Sequence, residues 1–197
     1  MSAVRTAGVG GGEARERIMA AAYELFSTRG VRAVGVDEIV ATAGVARMTL
    51  YRHFGSKDDL VLAFLARREE LWTDGWLRQD VERRAQDPAD RLLAVFDVFD
   101  GWFREPAFEG CAFINVMLET TDAEHPAHAA SVASLANIRR FLEGLAREAG
   151  VADPAGFARK WHILMKGSIV AAGEGDHDAA LRAQEISRLV LADALGR

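Results

Sequence analysis

The sequence contains one cysteine, four prolines and no long uninterrupted run of apolar residues. Because Cys111 is the only cysteine, an intrachain disulfide is impossible, and a reducing cytoplasm is the expected compartment. A membrane-spanning helix needs roughly 18 or more consecutive apolar residues, a length that this sequence never reaches. The N-terminus also lacks the apolar core of a secretory signal peptide. Few prolines and abundant alanine favour helix throughout, so an all-α protein with no membrane contact is predicted.

Acidic and basic residues are unevenly distributed along the chain. All 197 residues together carry 24 basic and 29 acidic side chains, a formal net charge of −5. Residues 1–53 hold seven Arg and five acidic residues, a balance of +2, which leaves −7 for the other 144 residues. A weakly basic head joined to an acidic body is typical of a DNA-binding domain with a separate second domain.

The stretch Val36–Phe54 has the pattern of two short helices around a glycine. Apolar residues in its first half recur at helical spacing, and Gly44 is able to adopt the left-handed conformation that ends a helix. The second helix, over residues 46–54, has a free face that is basic and hydrogen-bonding. With a preceding helix over residues 13–29, this pair indicates a helix-turn-helix DNA reader. An ordinary αα-hairpin with a solvated polar face is the alternative.

Residues 13–62 contain further features that periodicity alone does not explain. The first helix ends in Phe-x-x-x-Gly at Phe26 and Gly30, and AGV, Thr-Leu-Tyr, His-Phe and Ser-Lys then follow in order. This combination resembles the DNA-binding head of TetR-type transcriptional regulators. The resemblance implies a non-enzymatic regulator with a three-helix head whose last helix enters the major groove of double-stranded DNA. It implies DNA contacts by Gly35, Val36, Ala46, Arg47, Met48, Thr49, Tyr51, Arg52, His53 and Lys57.

The same resemblance suggests how these residues divide between bases and backbone. Arg47 and Met48 are expected to face bases. Arg52 is a further base reader, because an Arg fork matches the acceptor pair of guanine. Thr49 and Tyr51 are expected to touch phosphate or a thymine methyl. The remaining contacts to the DNA backbone are assigned to His53 and Lys57.

Three positions depart from the family pattern. The family often has Thr at position 35 and Ser or Thr at position 46, both helix N-cap sites, whereas this chain has Gly35 and Ala46. Losing such a cap typically costs about 1 kcal/mol for Ala and less for Gly. The family often has Gly where this chain has Met48. Operator sequences of relatives are therefore not expected to transfer to this protein.

The rest of the chain is predicted as a helical body joined to the head by one long helix. Ser56 and Asp59 form a capping-box start, and the helix continues to about residue 84. Further helices are predicted over residues 88–104, 108–119, 126–147, 157–173 and 179–195, the second of them fully buried, giving about nine helices in all. The domain prediction is a flexible arm at 1–12, a helix-turn-helix domain at 13–55, and an effector-binding and dimerisation domain at 56–197.

Large aromatic and methionine side chains are abundant in the predicted body. Each one taken singly is an ordinary core residue, but walls of this composition suit an apolar or aromatic small molecule. A small-molecule effector of unknown identity is therefore a predicted partner, and no cofactor is expected. The candidate lining residues are Trp72, Trp76, Phe99, Trp102, Phe103, Phe113, Met117, Trp161 and Met165.

The last two predicted helices carry more apolar surface than one core needs, together with small residues that allow close approach. This pattern favours a homodimer formed through those two helices, as the TetR resemblance also implies. A two-fold protein also matches a two-fold operator. A closed monomeric bundle is the alternative.

Catalytic and metal-binding patterns are weak by comparison. Cys111 with His125 or His128 has the residue types of a nucleophile and base, but this cysteine lies in an apolar run and is expected to be inert. His125-x-x-His128 has metal-like spacing, yet four ligands are not evident. The DNA-reading pattern and the dimer pattern together predict a transcriptional regulator that binds a palindromic operator as a homodimer, and the TetR resemblance implies that it is a ligand-responsive repressor. A helical small-molecule or metal-binding protein without sequence-specific DNA binding is the alternative.

Overall fold

The structure is a computed structural model that describes the backbone of residues 9–197 and the side chains beyond residue 11. Regular structure in these residues consists of nine helices without a strand, which confirms the predicted fold class. None of the described helices is long and apolar enough to cross a membrane. The helices are α1 (Val9–Arg29), α2 (Val36–Ala43), α3 (Arg47–Phe54), α4 (residues 57–84), α5 (Pro88–Phe103), α6 (Ala112–Glu119), α7 (Pro126–Glu148), α8 (Pro154–Gly173) and α9 (Ala179–Ala194).

Three helices differ from the prediction by three or more residues at their N-terminal ends. α8 begins at Pro154 and not at residue 157. α1 begins at Val9 and so includes residues 9–12 of the predicted arm, whereas residues 1–8 of that arm lie outside the described part of the chain. α6 begins at Ala112 and not at residue 108, because Gly110 has φ 75°, a left-handed conformation that interrupts a helix. The prediction that this helix is fully buried was wrong, since it packs on one side only and Leu118 is 66% exposed.

The long helix α4 contains a stretch that the sequence did not predict. It is α-helical over Lys57–Arg68, π-helical over Glu69–Arg78 and α-helical again over Gln79–Arg84. Within the π-helical stretch, the Glu69 carboxylate accepts a hydrogen bond from Ser134 Oγ on α7 at 2.9 Å. π-helical turns are rare and frequently occur at functional sites. The side chains of this stretch are therefore candidates for a functional site.

Contacts divide the chain into two compact units. Among the described residues, the first comprises those up to Arg67 together with Ile114–Ser131, and the second comprises Arg68–Phe113 and Val132–Arg197. This division differs from the predicted boundary between residues 55 and 56. Each unit is therefore assembled from two separate segments of the chain, which a linear domain prediction does not anticipate.

Two long-range contacts explain why the first unit extends beyond residue 55. Phe64 on α4 meets Phe26 of α1 edge-on, with ring centroids 5.5 Å apart. The carboxylate of Glu119, at the end of α6, accepts a hydrogen bond from Arg32 N at 2.8 Å. A Cβ at Gly30, where φ is 80°, would collide with the same carboxylate. The turn after α1 therefore requires glycine both for its conformation and for its contact with α6.

The helix pair of the first unit is built around its glycine as predicted. Gly44 has φ 62° and ψ 41°, and Val45 N donates to Val40 O at 3.1 Å across the turn. This left-handed ending satisfies carbonyl groups that the end of α2 would otherwise leave unpaired. The buried core beneath the pair includes Ile18, Ala22, Phe26, Ile39, Leu50, Phe54, Leu60 and Phe64.

The second unit has its core among α5, α8 and α9. The buried Trp161 on α8 stacks on Phe157 with ring centroids 5.0 Å apart and meets Phe96 of α5 at 5.6 Å. On α9, Gln184 Nε2 donates to Asp97 Oδ1 of α5 at 2.7 Å. This hydrogen bond gives the buried amide of Gln184 a partner across the two helices.

His162, on α8 of the second unit, is expected to make the protein acid-sensitive. Its side chain is 2% exposed, and its Nδ1 atom has no hydrogen-bond partner among the described residues. Burial, with the positive charges of Lys166 and Arg139, lowers its pKa from 6.5 to about 3. The folded protein therefore keeps this imidazole neutral, whereas the unfolded chain takes up a proton below about pH 6.5. Its contribution to stability is complete above pH 6.5 and is lost progressively as the pH falls towards 3.

Chemical denaturation at about pH 7.5 and about pH 5 measures this effect. Between those values the wild type is expected to lose on the order of 2 kcal/mol more unfolding free energy than the His162→Leu variant. Leucine fills a similar volume without titrating. Equal losses in the two proteins would show that groups other than His162 determine the acid sensitivity.

Candidate DNA-reading helix and effector cleft

The helices α2 and α3 begin without side-chain caps. Gly35 and Ala46 occupy the two N-cap positions in extended conformations, and neither position supplies a side-chain hydrogen bond to its helix. The first turn of α2 has Asp37, where the helix dipole favours negative charge. The last turn of α3 has Arg52, where the dipole favours positive charge. The dipole therefore supports both helices in place of the absent caps.

The helix α3 has one buried side and one free side. Leu50 is 0% exposed and Phe54 is 6% exposed, so these two residues anchor the helix in the core of the first unit. Met48 is 77% exposed, the highest value among the exposed large apolar side chains that the structure describes. Arg47 and Arg52 are also exposed. The other predicted DNA contacts on this helix are half-buried: Thr49, Tyr51 and His53.

Arg47 is held on the surface of α3 by two neighbours. Its Nη1 atom forms an ion pair with Asp37 Oδ1 at 2.9 Å, and its Nη2 atom donates to Tyr51 Oη at 3.5 Å. The hydrogen bond to Tyr51 and the negative charge of Asp37 raise the pKa of Arg47 above its ordinary value. Asp37 was not among the predicted site residues, because it lies on the preceding helix and no local spacing rule pairs it with Arg47.

The ion pair between Asp37 and Arg47 is expected to lower the affinity of the protein for DNA. Asp37→Asn removes a negative charge from the free side of the helix pair and releases Arg47, so non-specific affinity should rise about three- to tenfold. The dependence of affinity on salt should become steeper by about one unit. Fluorescence anisotropy with a random-sequence duplex at several salt concentrations measures both quantities. Glu148→Gln, the same charge change in the second unit, is the control, and an equal rise there would contradict the prediction.

The two predicted backbone contacts near the end of the head have different surroundings. Lys57 lies in the first turn of α4, whose start is capped as predicted, with Asp59 N donating to Ser56 Oγ at 3.0 Å. The helix dipole disfavours a cation there unless an anion compensates it, so phosphate is a fitting partner. His53 is half-buried, and its buried Nε2 atom has no hydrogen-bond partner in the part of the chain that is described. This nitrogen is therefore not available to a phosphate in the present conformation.

Three tryptophans meet at a cleft in the second unit. Trp72 and Trp76 lie on the π-helical stretch and Trp102 lies near the end of α5, with ring centroids between 5.1 and 6.0 Å apart. The cleft has a volume of about 290 Å³. Trp72 Nε1 is buried and has no hydrogen-bond partner among the residues described, so it is not open to a ligand in this conformation. The lining residues are Arg68, Trp72, Trp76, Trp102, Glu105, Ala107 and Glu109.

The nine predicted pocket residues do not form one group. Besides the three tryptophans, two phenylalanines pack against the same cluster, with the Phe99 and Phe103 rings 5.5 and 5.6 Å from that of Trp102. The structure places the charged residues Glu105 and Glu109 at the cleft as well, and an apolar pattern search passes over such residues. The other four predicted residues do not line the cleft: Phe113, Trp161 and Met165 are buried, and Met117 belongs to the first unit.

The histidine pair with metal-like spacing has other contacts. His125 Nδ1 accepts a hydrogen bond from Ala127 N at 3.2 Å, and its Nε2 atom lies 3.6 Å from Asp58 Oδ2. His128 Nδ1 is 2.6 Å from Thr120 O. Across residues 12–197, no group of three or more His, Cys, Asp or Glu side chains is arranged to hold a metal ion.

Apolar side chains are exposed on the last two helices. Ile163 and Val170 on α8 are 63% and 54% exposed, and Ile186 and Leu189 on α9 are 50% and 72% exposed. Gly167 lies one turn after Ile163 on α8 and is also exposed. An apolar surface with a small residue inside it is typical of a site where another protein surface packs closely.

Comparisons with known proteins agree with this architecture. Residues 18–64 match the family model described as bacterial regulatory proteins, tetR family, and residues 88–186 match the tetracyclin repressor-like C-terminal domain. SCO4454, a TetR-family transcriptional regulator from Streptomyces coelicolor, has a crystal structure with 31% sequence identity and a TM-score of 0.83. The match covers 93% of this chain and 97% of that one. The protein belongs to the TetR family of transcriptional regulators.

Two further relatives show how far the likeness extends. A TetR-type protein from Streptomyces avermitilis has 30% identity and a TM-score of 0.80 over 93% of this chain and 98% of its own. The transcriptional activator FasR of Mycolicibacterium smegmatis is 41% identical over 87 residues, 44% of this chain. That alignment spans 39% of the length of FasR. The alignments with the next two curated relatives likewise span 39% of the length of each relative. The class of protein that these matches define is the helix-turn-helix transcriptional regulator, which is not an enzyme.

Proposed function

We propose that this protein is a ligand-responsive repressor that binds a palindromic operator as a homodimer and is released by a small apolar or aromatic effector. The observation that carries DNA reading is the free side of α3. Arg47, Met48 and Arg52 are exposed there, while Leu50 and Phe54 anchor the opposite side in the core. A short helix held on one side and free on the other is what reading the major groove requires.

On the operator, α3 lies in the major groove with its N-terminal end against the bases. Arg47 and Met48 stand at that end, where helix-turn-helix proteins contact base edges. Arg52 offers its forked donors to the acceptor pair of guanine. The proposed contacts to the DNA backbone come from Gly35, Val36, Ala46, Thr49, Tyr51 and Lys57. His53 can contribute only through its Nδ1 atom, because its Nε2 atom is buried.

A second copy of the chain is the proposed partner of the exposed apolar side chains on α8 and α9. Two helices from each copy would form a four-helix interface, with Leu189 and Ile163 removed from water. The two-fold axis of such a dimer would present two α3 helices to half-sites roughly 34–36 Å apart, which is one helical turn of DNA. This arrangement accounts for a palindromic operator.

The tryptophan cleft is the proposed effector site. Its aromatic rings suit an apolar or aromatic molecule. α4 carries Lys57 near its start and Trp72 within its π-helical stretch, so one continuous helix joins the two proposed sites in sequence. An effector that binds one arrangement of this stretch better than another would shift the population towards a state that does not fit the operator.

Selection from a random pool of duplexes tests the DNA-binding part of the proposal. Enrichment of a two-fold sequence is expected, and recovery of no enriched sequence would favour the alternative, a helical ligand-binding protein. With the operator known, compounds that quench tryptophan fluorescence are then tested for release of the DNA. Because FasR is named an activator, a reporter gene behind the operator measures the direction of regulation, and lower expression in the presence of the protein is the expected result.

A further inference from the structure

Met48 is exposed on a helix that buries its other large apolar side chains. It is 77% exposed at the second residue of α3, whereas Leu50 and Phe54 on the same helix lie in the core. The helix therefore does not use Met48 for its own packing. When another apolar surface covers a large apolar side chain that was exposed to water, the free energy of the system falls.

The neighbours of Met48 place it among the residues that meet DNA. Arg47 precedes it, and Arg52 follows four residues later, so that Arg52 stands beside Met48 on the helix surface. Arg47 is engaged by Asp37 at 2.9 Å and by Tyr51 at 3.5 Å. At the N-terminal end of α3, the base-facing pair thus consists of a restrained arginine and an unrestrained thioether.

The major groove offers one apolar feature to such a side chain. Thymine carries a C5 methyl group, whereas the remaining features of the base-pair edges are hydrogen-bond donors and acceptors. A thioether is only a weak acceptor, so against a polar edge it would displace water without replacing its hydrogen bonds. Against a methyl group it makes a favourable apolar contact, and its flexible chain adapts to the exact position of that group.

We propose that Met48 reads the 5-methyl group of a thymine, so that each operator half-site has a thymine opposite this residue. The proposal rests on the proposed function, in which α3 enters the major groove. Thr49 and Tyr51, the other candidates for this contact, are half-buried, and the Tyr51 hydroxyl already accepts from Arg47. Met48 is therefore the side chain of α3 whose chemistry and exposure both match a methyl group.

Replacing thymine by deoxyuridine in the selected operator tests this inference, because the exchange removes the methyl group and leaves the pairing edges unchanged. Each thymine of one half-site is replaced in turn, and binding is measured by fluorescence anisotropy. At one position the wild-type affinity should fall about fourfold, the effect of one buried methyl group, and roughly fifteenfold when both half-sites are changed. Insensitivity of the wild type at every thymine would overturn the inference.

A mutant cycle assigns the effect to Met48. The Met48→Ala variant is expected to bind the thymine and uracil operators equally, with a thermal unfolding curve like that of the wild type. Leu118→Ala, which removes a 66% exposed leucine from α6, should retain the full response to uracil. If Met48→Ala and the wild type lose the same affinity when uracil replaces thymine, another residue contacts the methyl group and the proposal is refuted. Failure to select any operator would instead overturn the proposed function on which this inference rests.

Discussion

Leu189→Glu is expected to convert the proposed dimer into a monomer and to lower operator affinity by at least about 100-fold. Leu189 is 72% exposed on α9, beside the other exposed apolar residues of the last two helices. A glutamate enclosed by a second copy would lose its hydration without gaining a partner, which strongly disfavours association. A monomer also loses the high effective concentration that a bound first head gives to the second.

Analytical ultracentrifugation and anisotropy with the selected operator measure the two effects separately. Leu71→Glu is the matched control, because Leu71 is a 50% exposed leucine of the same unit that lies outside α8 and α9. This control should remain dimeric and bind the operator normally. Circular dichroism should show unchanged helix content in both variants. A Leu189→Glu protein that is still dimeric would mean that the copies meet through another surface.

Tyr51→Ala is expected to reduce operator affinity by about 10- to 50-fold. The side chain has two roles in the proposed complex, since it reaches the DNA backbone and also supports Arg47. Its hydroxyl accepts from Arg47 at 3.5 Å, and the guanidinium lies 5.8 Å from the ring centre. Alanine removes both the ring and the hydroxyl, so that a backbone contact and the positioning of a base-facing arginine are lost together.

Two companion variants separate these roles. Tyr51→Phe keeps the ring beneath Arg47 and loses the hydroxyl, so an intermediate affinity is expected. Lys57→Ala removes a phosphate contact without changing α3, and should lower the salt dependence of binding by about one unit for all operator variants. If Tyr51→Ala binds as tightly as the wild type, the free side of α3 is not the surface that meets DNA.

The candidate DNA-reading helix and the proposed effector cleft differ in how far the sequence could predict them. The exposed positions Arg47, Met48 and Arg52 follow from helical periodicity, because Leu50 and Phe54 fix which side of α3 is buried. The orientation of His53 does not follow, since its Nε2 atom is buried by residues of the folded head. In the cleft, aromatic content suggested nine residues, but the fold brings only three of them to the lining.

Local interactions are what the sequence by itself determined. The helix breaks at Gly30 and Gly44, the capping box at Ser56, and the start of α5 at Pro88 depend on neighbouring residues in the chain, so each could be predicted without a fold. The helix-turn-helix is built almost wholly from such signals. For this reason its pattern, together with the family resemblance, was sufficient to predict the class of protein.

Only the tertiary structure decided which distant residues meet. The pairing of Asp37 with Arg47, the contact of Glu119 with the turn after α1, and the π-helical stretch of α4 have no local signature in the sequence. The first depends on how two neighbouring helices pack, the second on segments 87 residues apart in the chain, and the third on a choice between helical hydrogen-bond patterns that packing makes. The restrained Arg47 beside the free Met48 is the outcome that matters most, because it determines what the reading helix offers to DNA.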